Sequence, residues 1–240
     1  MKRLYEKNEL TFALVWIAIY VVGFSIADSL SEAIGVEKLV TALVGLVSTV
    51  GLYVWTCKQG FGRKYGLINP EIAPKRVGYY VPLLLIPTVN VWYGVQFNLT
   101  ILESCLYVFS MLCVGFLEEL IFRGFLFKAL AKDNLKQAVI ISSVTFGIGH
   151  MVNLLNGADT VSTLLQVAYA VAIGFVFTYL FLASGSLWPC ILCHGAINGL
   201  SAFSVNPGLQ GGLITAGFLC VVSIGYAVYL AKKIPLETLE

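Results

Sequence analysis

Apolar residues in this 240-residue chain form long continuous blocks, separated by short polar connections. The blocks lack both the alternation of a half-buried strand and the three-to-four spacing of an amphipathic helix. Several approach or reach the length of about 20 residues that a helix needs to cross the hydrocarbon core of a bilayer. The pattern therefore predicts membrane-spanning segments.

Eight such blocks can be drawn, and they predict an all-α, polytopic membrane bundle of about eight transmembrane helices. Helices are favoured over a β-barrel, because barrel strands are segments of about ten residues with alternating character. No repeat or linker divides the chain, so we expect a single membrane domain over residues 1–240, with its chemistry in residues 105–204. The predicted spans are residues 11–27, 39–56, 78–95, 105–126, 137–155, 161–183, 186–204 and 210–231.

The composition excludes an ordinary soluble domain. Hydrophobic residues make up 58% of the chain and charged residues 12%, whereas a soluble domain carries about 25% charged residues. This amount of charge is too small to cover a water-facing globule of such a length. The lipid bilayer is therefore the expected solvent.

Basic residues collect in alternate connections, as the positive-inside rule describes for cytoplasmic loops. All of the 15 Lys and Arg residues except Lys38 fall on one predicted side. We therefore expect an integral protein of a bacterial plasma membrane, with both termini cytoplasmic, loops 28–38 and 156–160 outside, and a first span that is retained rather than cleaved as a signal peptide. The net charge of +2 reflects this asymmetry and does not indicate nucleic-acid binding. The residues on the cytoplasmic side are Lys2, Arg3, Lys7, Lys58, Arg63, Lys64, Lys75, Arg76, Arg123, Lys128, Lys132, Lys136, Lys232 and Lys233.

Most of the six cysteines lie inside apolar blocks, where a free thiol behaves as a small hydrophobic residue. The sequence Cys190-Ile-Leu-Cys193-His194 matches the pattern of covalent haem attachment. We disfavour that interpretation because the pattern lies within a predicted span, and no second ligand pair has the spacing of a structural zinc site. No disulfide framework is expected.

Four ionisable side chains fall inside the predicted spans: Glu118, Glu119, His150 and His194. An ionisable residue at the centre of a membrane helix costs about 2.5 kcal/mol or more on insertion scales, so such residues usually face the bundle interior and serve function. The chain has only two histidines, and both lie in apolar spans. These residues are therefore candidates for a buried polar site.

The fourth span carries a pair of glutamates followed by an arginine. Glu119 and Arg123 are four residues apart, which places them on one helical face as a potential ion pair. Glu118 points elsewhere and is left without that partner, so it is the candidate general base. The alternative is that both glutamates reach towards the interface and pair with Arg123 and Lys128.

The fifth and seventh spans each place a histidine four residues from another candidate residue. Phe146 and His150 share one face, and so do His194 and Asn198. Either histidine alone could be an ordinary interhelical contact. Small residues beside both pairs allow close helix packing: they are Gly147, Gly149, Gly195 and Gly199.

Together these motifs resemble those of the CPBP superfamily, which includes CAAX prenyl endopeptidases and bacteriocin-processing proteins. Its members carry E-E-x-x-x-R, F-x-x-x-H and H-x-x-x-N on separate membrane helices. Here the matching residues occur in the same order between residues 118 and 198, whereas the first hundred residues carry no motif. The matches are Glu118, Glu119, Arg123, Phe146, His150, His194 and Asn198.

The resemblance implies an intramembrane endopeptidase that hydrolyses a membrane-embedded or lipid-modified peptide or protein. It implies that Glu118 activates water with help from His150, and that His194 and Asn198 bind the oxyanion. Glu119, Arg123 and Phe146 would support the site. We expect no required cofactor; zinc held by Glu118, His150 and His194 is the less favoured alternative, since no H-E-x-x-H pair is present.

Two non-enzymatic functions remain open at this point. An inactive scaffold or regulator, such as an immunity or kinase-modulating protein, could retain the same motifs. A proton-coupled carrier could use buried Glu and His residues, although carriers often contain internal repeats and none is evident here.

Overall fold

Helices make up almost all regular structure in the computed structural model of this protein, which describes residues 1–70 and 78–234. Among these residues, β-type pairing is limited to an isolated antiparallel bridge between Val95 and Ser204. The predicted all-α fold is confirmed.

The α-helices of the described residues follow one another with short connections. The 3-10 helices Ile86–Val91 and Ser201–Phe203 extend α4 and α10, and the π-helix Leu120–Leu126 joins α5 to α6. In chain order the α-helices are α1 (Lys2–Lys7), α2 (Glu9–Ile34), α3 (Leu39–Lys58), α4 (Val81–Leu85), α5 (Ile101–Glu119), α6 (Phe127–Leu130), α7 (Leu135–Gly149), α8 (Val152–Leu155), α9 (Thr160–Ser184), α10 (Trp188–Leu200) and α11 (Gly208–Lys233).

Six segments of the described residues are long and apolar enough to cross a membrane, which makes this an integral membrane protein. They correspond to six of the eight predicted spans. Two predicted spans, residues 78–95 and 186–204, instead form shorter helical segments. The six long segments are Glu9–Ile34, Leu39–Lys58, Ile101–Leu130, Leu135–Leu155, Thr160–Ser184 and Gly208–Lys233.

Proline explains part of this shortening. Pro82 lies in the first turn of α4, and Pro87 lies in the first turn of the following 3-10 helix. Proline has no backbone N–H to donate, so a regular α-helix is interrupted where it occurs. The 13 residues of α10 span only about 20 Å at 1.5 Å per residue. The two short segments pack together, and Asn90 donates a hydrogen bond to the Ile197 carbonyl at 2.8 Å.

Local sequence signals set several helix ends. Thr100 and Glu103 form a reciprocal capping box at the start of α5, and such a box satisfies two backbone donors that the helix leaves free. At the end of α2, Gly35 adopts the left-handed conformation, with φ of 76°. Because α2 continues to Ile34, the prediction that residues 28–34 belong to an outer loop was wrong, and Asp28 is part of the helix.

Two of the long segments are central and the others are peripheral. In Ile101–Leu130 and Thr160–Ser184, 56% of the most apolar stretch is buried, against 22% for α2 and 28% for α3 and α11. The peripheral helices expose large apolar side chains such as Val47 and Val221. Such outward-facing apolar surface is expected where lipid is the solvent.

Glycine allows each of the two central segments to approach a neighbouring helix closely. A Cβ atom on Gly115 of α5 would lie 2.7 Å from the Gly195 nitrogen of α10. Between α7 and α9, a Cβ atom on Gly147 would lie 2.8 Å from the Val171 nitrogen. The predicted close approach at Gly147 and Gly195 is confirmed, but Gly149 has only the distal ring atom of Phe122 within 4 Å.

The cysteines are all free, as expected. The buried pair Cys190 and Cys193 packs into the bundle, where the thiols lie 3.5 Å from the Phe177 carbonyl and 3.4 Å from the Leu83 carbonyl. The C-x-x-C-H pattern therefore belongs to helix packing.

Charged contacts mark the two ends of the bundle. At one end, Lys64 and Lys132 each lie 2.8 Å from a carboxylate oxygen of Glu9. At the other end, Lys38 lies 2.8 Å from Asp28.

Two of the residues that the sequence analysis counted on the basic side, Lys75 and Arg76, lie outside the described residues. Arg123 was also counted there, but it is buried within the helical segment.

Candidate active site

Glu118 and Glu119 are the last two residues of α5, directly before the π-helix. Consecutive helical residues point about 100° apart, so the two carboxylates face different surroundings. π-Helical insertions are rare and are frequent at functional sites.

Glu119 is the fully buried member of the pair. Its Oε1 atom accepts a hydrogen bond from Arg123 Nη1 at 3.1 Å, and both side chains have 0% exposure. The predicted ion pair is therefore present. The same oxygen lies 2.9 Å from His194 Nδ1, so Glu119 connects α5 to α10.

Phe146 packs at the centre of the charged cluster. The guanidinium carbon of Arg123 lies 3.9 Å from the centroid of its ring, a separation at which a cation interacts favourably with an aromatic face. The ring also meets His150 edge-on, with centroids 5.3 Å apart, and His194 with centroids 5.5 Å apart. Phe146 thus contacts groups from all three motifs.

Glu118 is partly exposed, with 13% of its side chain accessible. Tyr20 of α2 donates a hydrogen bond to Glu118 Oε1 at 2.6 Å. The other oxygen, Oε2, lies 3.5 Å from His194 Nε2 and has no hydrogen-bond partner among the described residues. Glu118 therefore has one oxygen held by Tyr20 and one buried oxygen without a hydrogen-bond partner among the described residues.

His150 follows the last residue of α7 rather than lying inside a continuous helix, as had been predicted for span 137–155. The helix ends at Gly149 and resumes as α8 at Val152. Its Nδ1 lies 3.1 Å from the Phe146 carbonyl, the acceptor for an Nδ1–H group. This contact engages Nδ1, and His150 also lines the cavity beside Glu118.

His194 and Asn198 lie one turn apart on α10, but their surroundings differ. His194 is buried against the two glutamates, with one ring nitrogen near each. Asn198 lines the cavity beside Glu118 and His150. The structure thus brings all seven motif residues together, and four of them line the cavity: Glu118, Phe146, His150 and Asn198.

The cavity has a volume of about 300 Å³, and polar side chains line much of its wall. Glu118, His150 and Asn198 lie on it, together with side chains from α2, α5, α8 and α9. Its polar residues outside the motifs include Tyr20, Ser25, Asp28, Lys38, Thr41, Tyr107, Asn153, Asn156, Gln166 and Ser201.

A comparison with known families bears directly on this site. Residues 100–200 match the family model described as type II CAAX prenyl endopeptidase Rce1-like. This region is therefore similar to that family, which is consistent with the resemblance to the CPBP superfamily. The match runs from the start of α5 to the end of α10 and includes all seven motif residues, and the family is one of proteases. No curated protein matches the chain.

Tyr20 is the contact that sequence reasoning missed. It lies on α2, outside the residues that match the family model, in a stretch that carries no motif. The available signal was a phenol in the middle of an apolar span, since a buried tyrosine hydroxyl usually finds a hydrogen-bond partner. No feature of the sequence identifies Glu118 as that partner.

The residues considered as zinc ligands do not form a ligand set in this arrangement. Among the described residues, no group of three His, Cys, Asp or Glu side chains converges as metal ligands would. His194, one of the three proposed ligands, has Nδ1 on Glu119 and Nε2 3.5 Å from Glu118. Zinc bonds to nitrogen and oxygen are about 2.0 to 2.2 Å long, so this site would have to rearrange to bind the ion.

Proposed function

We propose that this protein is an intramembrane endopeptidase in which Glu118 activates water to hydrolyse a peptide bond. The observation that carries the proposal is the environment of Glu118. One oxygen is fixed by Tyr20, the other is buried with no hydrogen-bond partner among the described residues, and the side chain lines a cavity that His150 and Asn198 also line. A general base must lie within hydrogen-bond reach of the proton that it removes, and a water in this cavity can meet that requirement.

The reaction begins with water held between the Glu118 carboxylate and His150. Glu118 takes one proton as the water oxygen bonds to the scissile carbonyl carbon, which produces a tetrahedral oxyanion. The carbon–nitrogen bond then breaks, and protonated Glu118 returns its proton to the leaving amine. The products are one new carboxyl end and one new amine end, and the base is regenerated.

Asn198 is the proposed donor to the oxyanion. Its side-chain amide can donate two hydrogen bonds, and it lines the same cavity as Glu118. Loss of one such donor in other hydrolases slows turnover by about 10²- to 10³-fold.

His194 acts from behind the cavity wall in this proposal. Two carboxylates oppose one guanidinium in the buried cluster, so a proton on His194 would make the cluster neutral. Its two N–H groups would then face Glu119 at 2.9 Å and Glu118 at 3.5 Å. The family resemblance implies that His194 helps to hold the oxyanion, and in this proposal a protonated His194 would do so through its positive charge.

The test measures peptide cleavage by wild-type protein and the variant Glu118→Gln, with Glu32→Gln as the matched control. Glu32 is an exposed residue of α2. We expect Glu118→Gln to abolish cleavage while the protein remains folded and abundant. A scaffold or regulator would instead keep its cellular effect in that variant, and this outcome would replace the proposal.

A further inference from the structure

The polar cavity extends from Glu118 towards one end of the bundle. Asp28 and Lys38 line it near the connection between α2 and α3, and Asn156 lines it after α8. Ser201, just beyond α10, belongs to the same wall. These connections meet at one end of the bundle because α2, α7 and α10 run towards it and α3 and α9 run away from it.

The opposite direction is closed by apolar side chains. Between Glu118 and the far end of the same segment, Phe122, Phe125 and Phe127 are at most 4% exposed. Phe12 of α2 and Tyr65 of the connection after α3 pack on Phe125, with ring centroids 5.1 Å and 4.9 Å away. We call Phe12, Tyr65, Phe122, Phe125 and Phe127 the aromatic plug.

The aromatic plug lies at the end that carries the basic residues. Lys64 is adjacent to Tyr65, and both Lys64 and Lys132 contact Glu9 near the start of α2. The cavity end has a single basic residue among those described there, Lys38, and it is paired with Asp28. Lys and Arg concentrate in cytoplasmic loops of membrane proteins, so the plugged end is the one expected in the cytoplasm.

From these two asymmetries we propose that the site receives its substrate from the extracytoplasmic side of the membrane. The substrate class is an extended peptide segment of an exported or outer-leaflet-anchored protein. Its identification as a substrate, rather than as a ligand, rests on the proposed endopeptidase function.

The cavity wall suits a peptide backbone. Asn153, Asn156 and Gln166 line it with side-chain amides, which can donate to and accept from a peptide group. Asn156 also donates to Ser25 Oγ at 3.3 Å, linking the residue after α8 to α2. An extended segment that enters between these elements would displace this exposed hydrogen bond.

Access can be measured without any cleavage, by labelling single cysteines with a membrane-impermeant maleimide. The background would replace Cys57, Cys105 and Cys220, which are not buried, and retain the buried Cys113, Cys190 and Cys193. Ser25→Cys and Asn156→Cys report on the cavity end. Lys58→Cys, on an exposed residue at the end of α3, reports on the plugged end.

In intact cells we expect Ser25→Cys and Asn156→Cys to be labelled and Lys58→Cys to react only after the membrane is permeabilised. The reverse pattern would overturn the proposed side of access. Failure of both cavity positions to react in either preparation would overturn the open cavity itself. Since labelling needs no turnover, these results remain interpretable if the endopeptidase function fails its own test.

The substrate class has a second test in proteoliposomes sorted by orientation. An impermeant peptide derived from an exported protein should be cleaved only where the cavity end faces the added peptide. Cleavage restricted to the other orientation would contradict the proposal. Labelling on the expected side without any cleavage would retain the access route and reject the function.

Discussion

At the residue scale, two neighbouring glutamates occupy opposite environments. Glu119 is fully buried and bonded to Arg123 and His194. Glu118 contacts the cavity and retains one oxygen without a hydrogen-bond partner among the described residues. The first arrangement serves to hold helices in place, and the second is suited to a group that must exchange a proton.

This difference predicts that the two glutamates respond differently to the same substitution. Glu119→Gln should destabilise the protein, because removal of one partner from a buried ion pair leaves the other charge uncompensated at a cost of about 3 to 5 kcal/mol. Glu118→Gln should abolish turnover with little change in melting temperature. Thermal unfolding in detergent and peptide cleavage would be measured on both variants. Equal loss of stability in both variants would contradict the assignment of Glu119 to a structural ion pair and of Glu118 to proton transfer.

The phenol of Tyr20 should matter for turnover more than for binding. Tyr20→Phe removes the hydrogen bond to Glu118 Oε1. Hydrogen bonds to charged groups contribute about 1.5 to 3 kcal/mol, so kcat should fall by about ten- to a hundredfold with a smaller change in KM.

Tyr107→Phe is the matched control for Tyr20, since Tyr107 lines the same cavity and its hydroxyl contacts Ser201 at 3.1 Å. We expect this control to retain kcat. A similar fall in kcat for both variants would indicate general damage to the cavity, and Tyr20 would no longer be a positioning residue for Glu118.

Metal dependence is decided by a separate measurement. The proposed hydrolysis uses Glu118 and water, so activity should survive dialysis against a strong chelator, with metal content measured in the same sample. Loss of activity together with a stoichiometric zinc ion, and recovery when zinc is added, would recast Glu118, His150 and His194 as ligands.

At the element scale, the site depends on how closely α5 and α10 approach. Gly115 and Gly195 meet where any Cβ atom on Gly115 would lie 2.7 Å from backbone nitrogen. This contact brings His194 within reach of both glutamates, since His194 directly precedes Gly195 and Glu118 lies about one turn beyond Gly115.

Gly115→Ala should therefore separate the two helices and reduce both stability and activity. Overpacking of this kind typically costs about 1 to 3 kcal/mol. Gly217→Ala on α11 is the matched control, because a Cβ atom there would have no neighbour within 4 Å. A melting temperature and cleavage rate for Gly115→Ala equal to those of the control would show that the contact does not position the site.

The sequence was sufficient for the long elements and for the motif residues within them. Continuous apolar blocks predicted the six long segments, and helical spacing predicted the Glu119–Arg123 pair. The π-helix, the break at His150 and the full extent of α2 were not predicted. Each depends on packing between helices, which block length and residue spacing do not describe.

At the scale of the whole molecule, the first hundred residues complete a site whose motifs all lie later in the chain. Helix α2 supplies Tyr20 and one wall of the cavity, and Lys38 and Thr41 continue that wall. None of these positions carries a recognisable motif. Long-range contacts such as Tyr20 with Glu118, which are 98 positions apart, become visible only once the helices are assembled.

The most direct test of the account asks whether purified protein creates new peptide ends in a membrane and whether this requires Glu118. Membranes from the source cell would be reconstituted with wild-type protein, Glu118→Gln or Glu32→Gln, and new amine ends would be quantified by mass spectrometry. We predict a defined set of new ends with wild type and Glu32→Gln, and none above background with Glu118→Gln. The same set of ends with Glu118→Gln, or no new ends with folded wild-type protein, would contradict an endopeptidase that depends on Glu118.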